Sequence, residues 1–109
     1  MKVVNLALHD SLLSQYMMQM RSTAVQTDPM RFRRNLHRAG EIMAYEISKT
    51  LDYKDVEVTT PLAPCTCRDI ADTIVLGTIF RAGVPFHQGF LDFFDRAENA
   101  FVSAYRKYK

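Results

Sequence analysis

The segment Thr73-Ile74-Val75-Leu76-Gly77-Thr78-Ile79 constrains this chain more than any other, because it is apolar almost without alternation. That pattern predicts a central strand covered on both faces, which is the setting of a parallel sheet. A parallel neighbour needs a crossover connection, and the following residues supply one. Phe80-Arg81-Ala82-Gly83 makes a turn, Pro85 opens a helix with Phe86, Phe90, Phe93 and Phe94 apolar, and a second strand is expected from about Asn99 to Tyr105. Strand, crossover helix and strand form one βαβ unit.

Upstream the periodicity changes. Val3 to Leu6 is read as a short strand, and Asp10-Ser11 offers capping side chains ahead of Leu12, Leu13, Tyr16, Met17 and Met20, an apolar stripe at helical spacing. Asp28-Pro29 then supplies a capping carboxylate and a proline at the first helical position. Phe32, Leu36, Ala39, Met43, Ile47 and Leu51 recur every three or four residues, which predicts a long helix from about Pro29 to Thr50. Val56 and Val58 alternate with Glu57 and Thr59, Pro61-Leu62-Ala63-Pro64 forces a turn, and Cys65-Thr66-Cys67 begins a return strand. The expected fold is therefore α/β, with a helical amino-terminal part over 1–54, a hairpin arm over 55–71 and a first βαβ unit over 72–109. No internal repeat or linker divides them.

Charge and length limit the function classes. Fourteen Lys and Arg against 12 Asp and Glu give a formal charge of +2, which disfavours a basic nucleic-acid arm and excludes an acidic tail. No apolar run approaches the roughly 20 residues of a membrane helix, and the polar start lacks a signal-peptide core. Two cysteines one residue apart are too close for a relaxed disulfide, so the expectation is a cytoplasmic chain with free thiols. A chain of 109 residues buries only about 60 to 70% of its unfolded surface, so an open sheet edge implies completion by another chain or a homo-oligomer.

Two arginines carry the chemical argument. Arg81 follows the carboxyl end of the first core strand and Arg106 that of the second, and neighbouring strand ends in a parallel sheet open onto one crevice. Guanidinium binds phosphate in a bidentate fork. Gly83 is expected to let the backbone approach a ligand, with the amides of the following helix favouring an anion. A phosphorylated small molecule is the ligand class this pattern indicates, against the plainer reading of two solvated surface arginines.

The stretch Thr78-Ile79-Phe80-Arg81-Ala82-Gly83, with Ala104-Tyr105-Arg106 a strand later, resembles the uracil phosphoribosyltransferase family. Met20-Arg21, Arg31-Phe32-Arg33, Ala44-Tyr45-Glu46 and Thr59-Thr60-Pro61-Leu62 fall in that family's order and spacing, so the resemblance covers most of the chain. It implies a phosphoribosyltransferase core, transfer of ribose 5-phosphate from phosphoribosyl pyrophosphate to uracil with magnesium present, and UMP and pyrophosphate as products. It places Arg81, Ala82, Gly83 and Arg106 at phosphoribosyl pyrophosphate. The family's later phosphate loop and uracil-reading Gly-Asp segment have no counterpart before Lys109. The chain is thus expected to be truncated after its second core strand and inactive alone. Two rivals are a pyrimidine-responsive RNA-binding regulator of the same fold, which the modest charge disfavours, and a non-catalytic oligomerisation or regulatory module.

Other features have plainer readings. Arg31, Arg34 and Arg38 make a basic ridge on the long helix, read as a solvated face or subunit contact, with a nucleotide effector site as the alternative. No metal site is expected from Cys65, Cys67, His9, His37 and His87, which lack paired ligand spacing. His87 and Gln88, one turn into the crossover helix, are assigned to a polar helix surface, with an approach to the ligand mouth as the alternative, and Met17, Met18, Met20, Met30 and Met43 to core or interface filling.

Overall fold

A computed structural model describes residues 2–107, so the last two residues of the expected βαβ segment lie outside the described residues. The amino-terminal expectation fails at its first element: Leu6–Leu8 form a 3₁₀ turn, with the Asn5 side chain accepting from the Ala7 amide, and no strand. Val3 and Val4 have no ladder partner among the described residues and stay exposed, which is why the short apolar run forms no strand. Helix α1 (Leu12–Arg21) begins where the capping residues place it. Ser11 Oγ accepts from the Leu13 amide, and Ser14 Oγ accepts from the Ser11 amide. A short α2 (Thr23–Gln26) leads to α3 (Pro29–Ser48), capped by Asp28, whose carboxylate accepts from the Arg31 amide at 3.1 Å. Helix α3 stops two residues before Thr50. Its end is held by the Tyr53 hydroxyl, which donates to the Ser48 carbonyl.

The arm consists of β1 (Tyr53–Thr59) and β2 (Pro64–Ile70), antiparallel, with Val56 opposite Cys67 and Val58 opposite Cys65. Strand β1 opens two residues before the expected start of the arm. Opposite residues share a face, so the two valines and two cysteines form one side while Asp55, Glu57, Thr66 and Arg68 form the other. Apart from the Tyr53 hydroxyl on Ser48, the arm packs against no other element among the described residues. Its base is tied by the Ala71 amide to the Asp52 carbonyl and the Asp52 amide to the Asp72 carboxylate.

The βαβ unit is β3 (Val75–Phe80), α4 (Val84–Phe93) and β4 (Glu98–Ser103), with β3 and β4 parallel and Thr78 opposite Phe101. The second strand thus ends two residues earlier than Tyr105. The expectation of a strand covered on both faces holds for one face only. Helix α4 lies over Leu76 and Thr78, whereas Val75, Ile79 and Val102 on the other face are 58, 61 and 59% exposed. The phenylalanines of α4 divide as well: Phe94 is buried, Phe86 and Phe90 pack edge to face, and Phe93 is half exposed.

Helix α4 is clamped between the sheet and α3. A Cβ on Gly89 would stand 2.1 Å from the His37 carbonyl and 2.8 Å from the Glu41 amide, and one on Gly40 would stand 2.4 Å from the Phe86 carbonyl. The two helices therefore cross backbone to backbone. On its other side α3 meets α1 through Asn35, which is fully buried, donates to Gln19 and accepts from Arg38. The buried residues of α3 are consequently Asn35, Ala39, Gly40 and Ala44, and much of the apolar stripe is only partly covered, with Ile47 exposed. Of the methionines assigned to core or interface filling, Met18 and Met30 are exposed and so are not core residues of this chain.

The whole is open. Its radius of gyration is 17.8 Å, against about 13 Å for a compact domain of this length. It exposes 8942 Å², against about 6,200 Å² for a compact monomer of its mass. Gly89→Ala tests the helix crossing. The better helix propensity of alanine is worth about 1 kcal/mol, but the clash is with backbone, and overpacking of this kind costs about 1 to 3 kcal/mol. The variant is expected to lower the urea midpoint of the protein despite its propensity gain, and an unchanged midpoint would show that the helices part freely.

Candidate functional site

The loop after β3 is built by its own strand. The Gly83 amide donates to the Ile79 carbonyl at 3.3 Å, the Val84 amide to the Arg81 carbonyl at 3.1 Å, and the His87 amide to the Gly83 carbonyl at 2.8 Å. A Cβ on Gly83 would lie 2.3 Å from Thr78 Oγ1 and 3.0 Å from the Ile79 carbonyl. Glycine is thus required for the loop to fold back onto β3. Two of the amides expected to face an anion are used in this turn, and Pro85 has none. The Phe80–Arg81 peptide bond is cis.

This packing leaves Arg81 and Ala82 exposed at the carboxyl end of β3. Arg106 is exposed three residues beyond the carboxyl end of β4, and because the strands are parallel both arginines belong to the same edge of the sheet. Among the described residues neither pairs with a carboxylate. Both guanidinium groups remain charged at any ordinary pH and retain their hydrogen-bond donors for a ligand. Beside the loop opens a concavity of about 470 Å³, lined by residues that include Gly77, Ile79, Ala82, Gly83 and Val102. It lies at the carboxyl end of β3, with Thr78 and Phe80 also in its lining, and opens onto the bare face through Gly77, Ile79 and Val102.

Comparison with known proteins decides the family. The family model described as uracil phosphoribosyltransferase matches residues 7–109. The chain belongs to the uracil phosphoribosyltransferase family. It is 55% identical to a uracil phosphoribosyltransferase of Porphyromonas gingivalis over 109 residues, all of this chain and 50% of that protein. It is 42% identical to that of Methanothermobacter thermautotrophicus over 81 residues, 72% of this chain and 38% of the relative. The chain therefore spans about half the length of the relatives it matches, or less. In fold it is similar to the AQ2163 protein from Aquifex aeolicus, with a TM-score of 0.76 at 24% identity over 85% of this chain and 44% of that one.

The remaining candidates in this phosphoribosyltransferase-family chain separate in space. Arg31 pairs with its own capping residue Asp28 at 3.9 Å, and Arg38 lies over the Tyr16 ring at 5.1 Å while donating to Asn35. Arg34 lines a different concavity with Met30, Arg33, His37 and Pro85. The three arginines share one face of α3, as the ridge reading requires, but their side chains have different neighbours: Arg31 has Asp28, Arg38 has Tyr16 of α1, and Arg34 has Pro85 of α4. Cys65 and Cys67 are free thiols with sulfurs 3.5 Å apart. His87 is the clearest departure from the assigned surface role: it is 7% exposed, beneath α4.

A cluster without a signal in the sequence joins α3 to α4. His37 and Glu41, one turn apart, meet Asp92, and their ligand-capable atoms all lie within 4.8 Å of one another. Histidine and carboxylates at that spacing are donors a metal can use, although the sequence predicts no such site. The His37 ring nitrogen, however, is hydrogen-bonded to Asp92, whose other oxygen accepts from Gln88 at 2.9 Å. His37 and Asp92 satisfy each other, with the Glu41 carboxylate 3.8 Å from the same ring nitrogen, and the cluster is a clasp across the Gly40 and Gly89 crossing. The hydrogen bonds from Gln88 and then His37 hold the Asp92 carboxyl below its ordinary value. A carboxyl lowered by folding stabilises the native state above its unfolded pKa, about 4, and loses that contribution as pH falls through its folded value. Asp92→Asn is expected to flatten the acid limb of the stability curve below about pH 4 while leaving its neutral-pH shape unchanged. An acid limb identical to wild type in urea titrations would remove the clasp.

Proposed function

We propose that the full-length protein carrying this chain is a uracil phosphoribosyltransferase, making UMP and pyrophosphate from uracil and phosphoribosyl pyrophosphate. The observation that carries the reading is the placement of Arg81 and Arg106, both free of carboxylate partners among the described residues, at one edge of the parallel sheet in a chain of that family. In the reaction a bond forms between the ribose anomeric carbon and a uracil nitrogen, the bond from that carbon to diphosphate breaks, and the nitrogen loses its proton. Negative charge gathers on the departing diphosphate oxygen. Two guanidinium groups at the strand ends would stabilise that charge, so their role is electrostatic and orienting rather than that of a general base.

Magnesium belongs to this reaction as a companion of the substrate. The loop offers no carboxylate, and the Arg81 and Gly83 carbonyls accept hydrogen bonds from Val84 and His87. That donor set does not suit a resident ion that demands oxygen ligands. Uracil recognition is assigned to residues beyond this segment, so the segment alone is expected to be inactive. The open sheet edge supports a homo-oligomeric assembly, and the protein is read as cytoplasmic; among the described residues no helix is long and apolar enough to cross a membrane.

The test is steady-state kinetics on the full-length protein, with the 109-residue chain as a second sample. Wild type is expected to form UMP and the segment none above background. Arg106→Ala is expected to lose about 2 to 4 kcal/mol of transition-state stabilisation, or roughly 30-fold to 10³-fold in kcat/KM for phosphoribosyl pyrophosphate. Arg106→Lys recovers part of it, because ammonium keeps the charge but not the bidentate fork. Wild-type kinetics in Arg106→Ala would take that residue out of the site, and turnover by the segment would overturn the division of labour proposed here.

A further inference from the structure

His87 is the buried ionisable side chain among the described residues, and the reaction gives it no task. Its surroundings assign one. Through its backbone it holds the far end of the Arg81 loop, since its amide donates to the Gly83 carbonyl at 2.8 Å. Its side chain reaches the near end by another route. The imidazole Nε2 lies 2.6 Å from Asn99 Oδ1 on β4, and its ring lies 5.0 Å from the Phe101 ring. Phe101 in turn stacks on Phe80 with centroids 4.8 Å apart, and Phe80 is the residue that precedes Arg81.

Asn99 orients this network. Its amide nitrogen donates to the Ala97 carbonyl at 3.4 Å, which turns Oδ1 toward the imidazole and makes Nε2 the protonated nitrogen that donates to it. The ring therefore has one orientation, with Phe101 held against it. Both ends of the loop from Phe80 to Gly83 are thus tied to a single residue, one end by the main chain and the other by two stacked rings.

We propose that His87 is a positioning residue for phosphoribosyl pyrophosphate, bracing the Arg81 loop from beneath so that the guanidinium is held in place before the substrate arrives. The inference rests on the reading that Arg81 meets that substrate, and it goes further by naming what fixes the arginine. A residue that acts only through Arg81 affects one substrate. Preorganisation of a charged group is sensitive to small displacements, so loosening the brace weakens diphosphate binding well before it unfolds the sheet.

Two variants of the full-length protein and two readouts test this. His87→Leu keeps the apolar packing and loses the donor, while Asn99→Ala removes the acceptor from an exposed position where folding is least at risk. Hydrogen–deuterium exchange is expected to rise across residues 80–84 in both variants and to stay level in α3. Michaelis constants are expected to rise about tenfold for phosphoribosyl pyrophosphate and less than about twofold for uracil. His87→Gln, whose amide nitrogen takes the place of Nε2, is expected to restore most of the loss. Unchanged exchange across residues 80–84 in both variants overturns the brace, as does a parallel rise in both Michaelis constants. An inactive wild type with raised exchange in the variants would sustain the brace and refute the functional reading, so the two failures are distinguishable.

Discussion

The contact between Gly40 and Gly89 is the constraint on which the remaining structure depends. Neither position has room for a side chain, so α3 and α4 meet at backbone distance, and α4 is pressed between that helix and the sheet. Three consequences follow from this one crossing. His37 and Glu41 come within reach of Asp92. The opposite side of α4, carrying His87, faces β4, with the imidazole bonded to Asn99. The start of α4 is fixed over Thr78, where the absence of a Cβ on Gly83 lets the loop close onto β3 and leaves Arg81 at the sheet edge. The position of a charged side chain proposed to meet a phosphate thus depends on Gly83 in its own loop as well as on the distant crossing of Gly40 and Gly89.

The same molecule leaves much of its apolar surface uncovered. One face of the sheet and one face of the arm are bare, and the buried apolar residues are few and mostly small or at helix ends. Each large aliphatic side chain left exposed forgoes about 1.5 to 3 kcal/mol of burial, while a domain of this size has only about 5 to 10 kcal/mol of total stability. The elements are therefore well formed locally, by caps, turns and the ladder, while their mutual packing is incomplete. The chain spans about half the length of the relatives it matches, and the concavity beside the Arg81 loop opens onto the uncovered side of the sheet.

Much of this architecture is legible in the amino-acid order alone. Asp28-Pro29 and Ser11 announce helix starts because capping is a local interaction, and the proline-bounded turn at 61–64 announces the arm for the same reason. The unbroken apolar run at 73–79 announces the parallel strand, and the arginines of the candidate site are legible because they follow strand ends within that unit. What stays hidden depends on partners distant along the chain. Glycines 40 and 89 carry no periodic signal, so nothing local marks the helix crossing. Asn35 and His87 look like surface residues until Gln19 and Asn99 arrive to satisfy them. Val3 to Leu6 has strand composition, yet a strand exists only if a neighbour offers a ladder, and none does among the described residues.

The central claim is that Arg81 and Arg106 together receive a diphosphate at the carboxyl edge of the parallel pair. The most direct test is a crystal structure of the full-length protein grown with pyrophosphate and magnesium. The account predicts diphosphate within hydrogen-bond distance of both guanidinium groups, beside Ala82 and Gly83. Diphosphate bound elsewhere, or held by neither arginine, would contradict it.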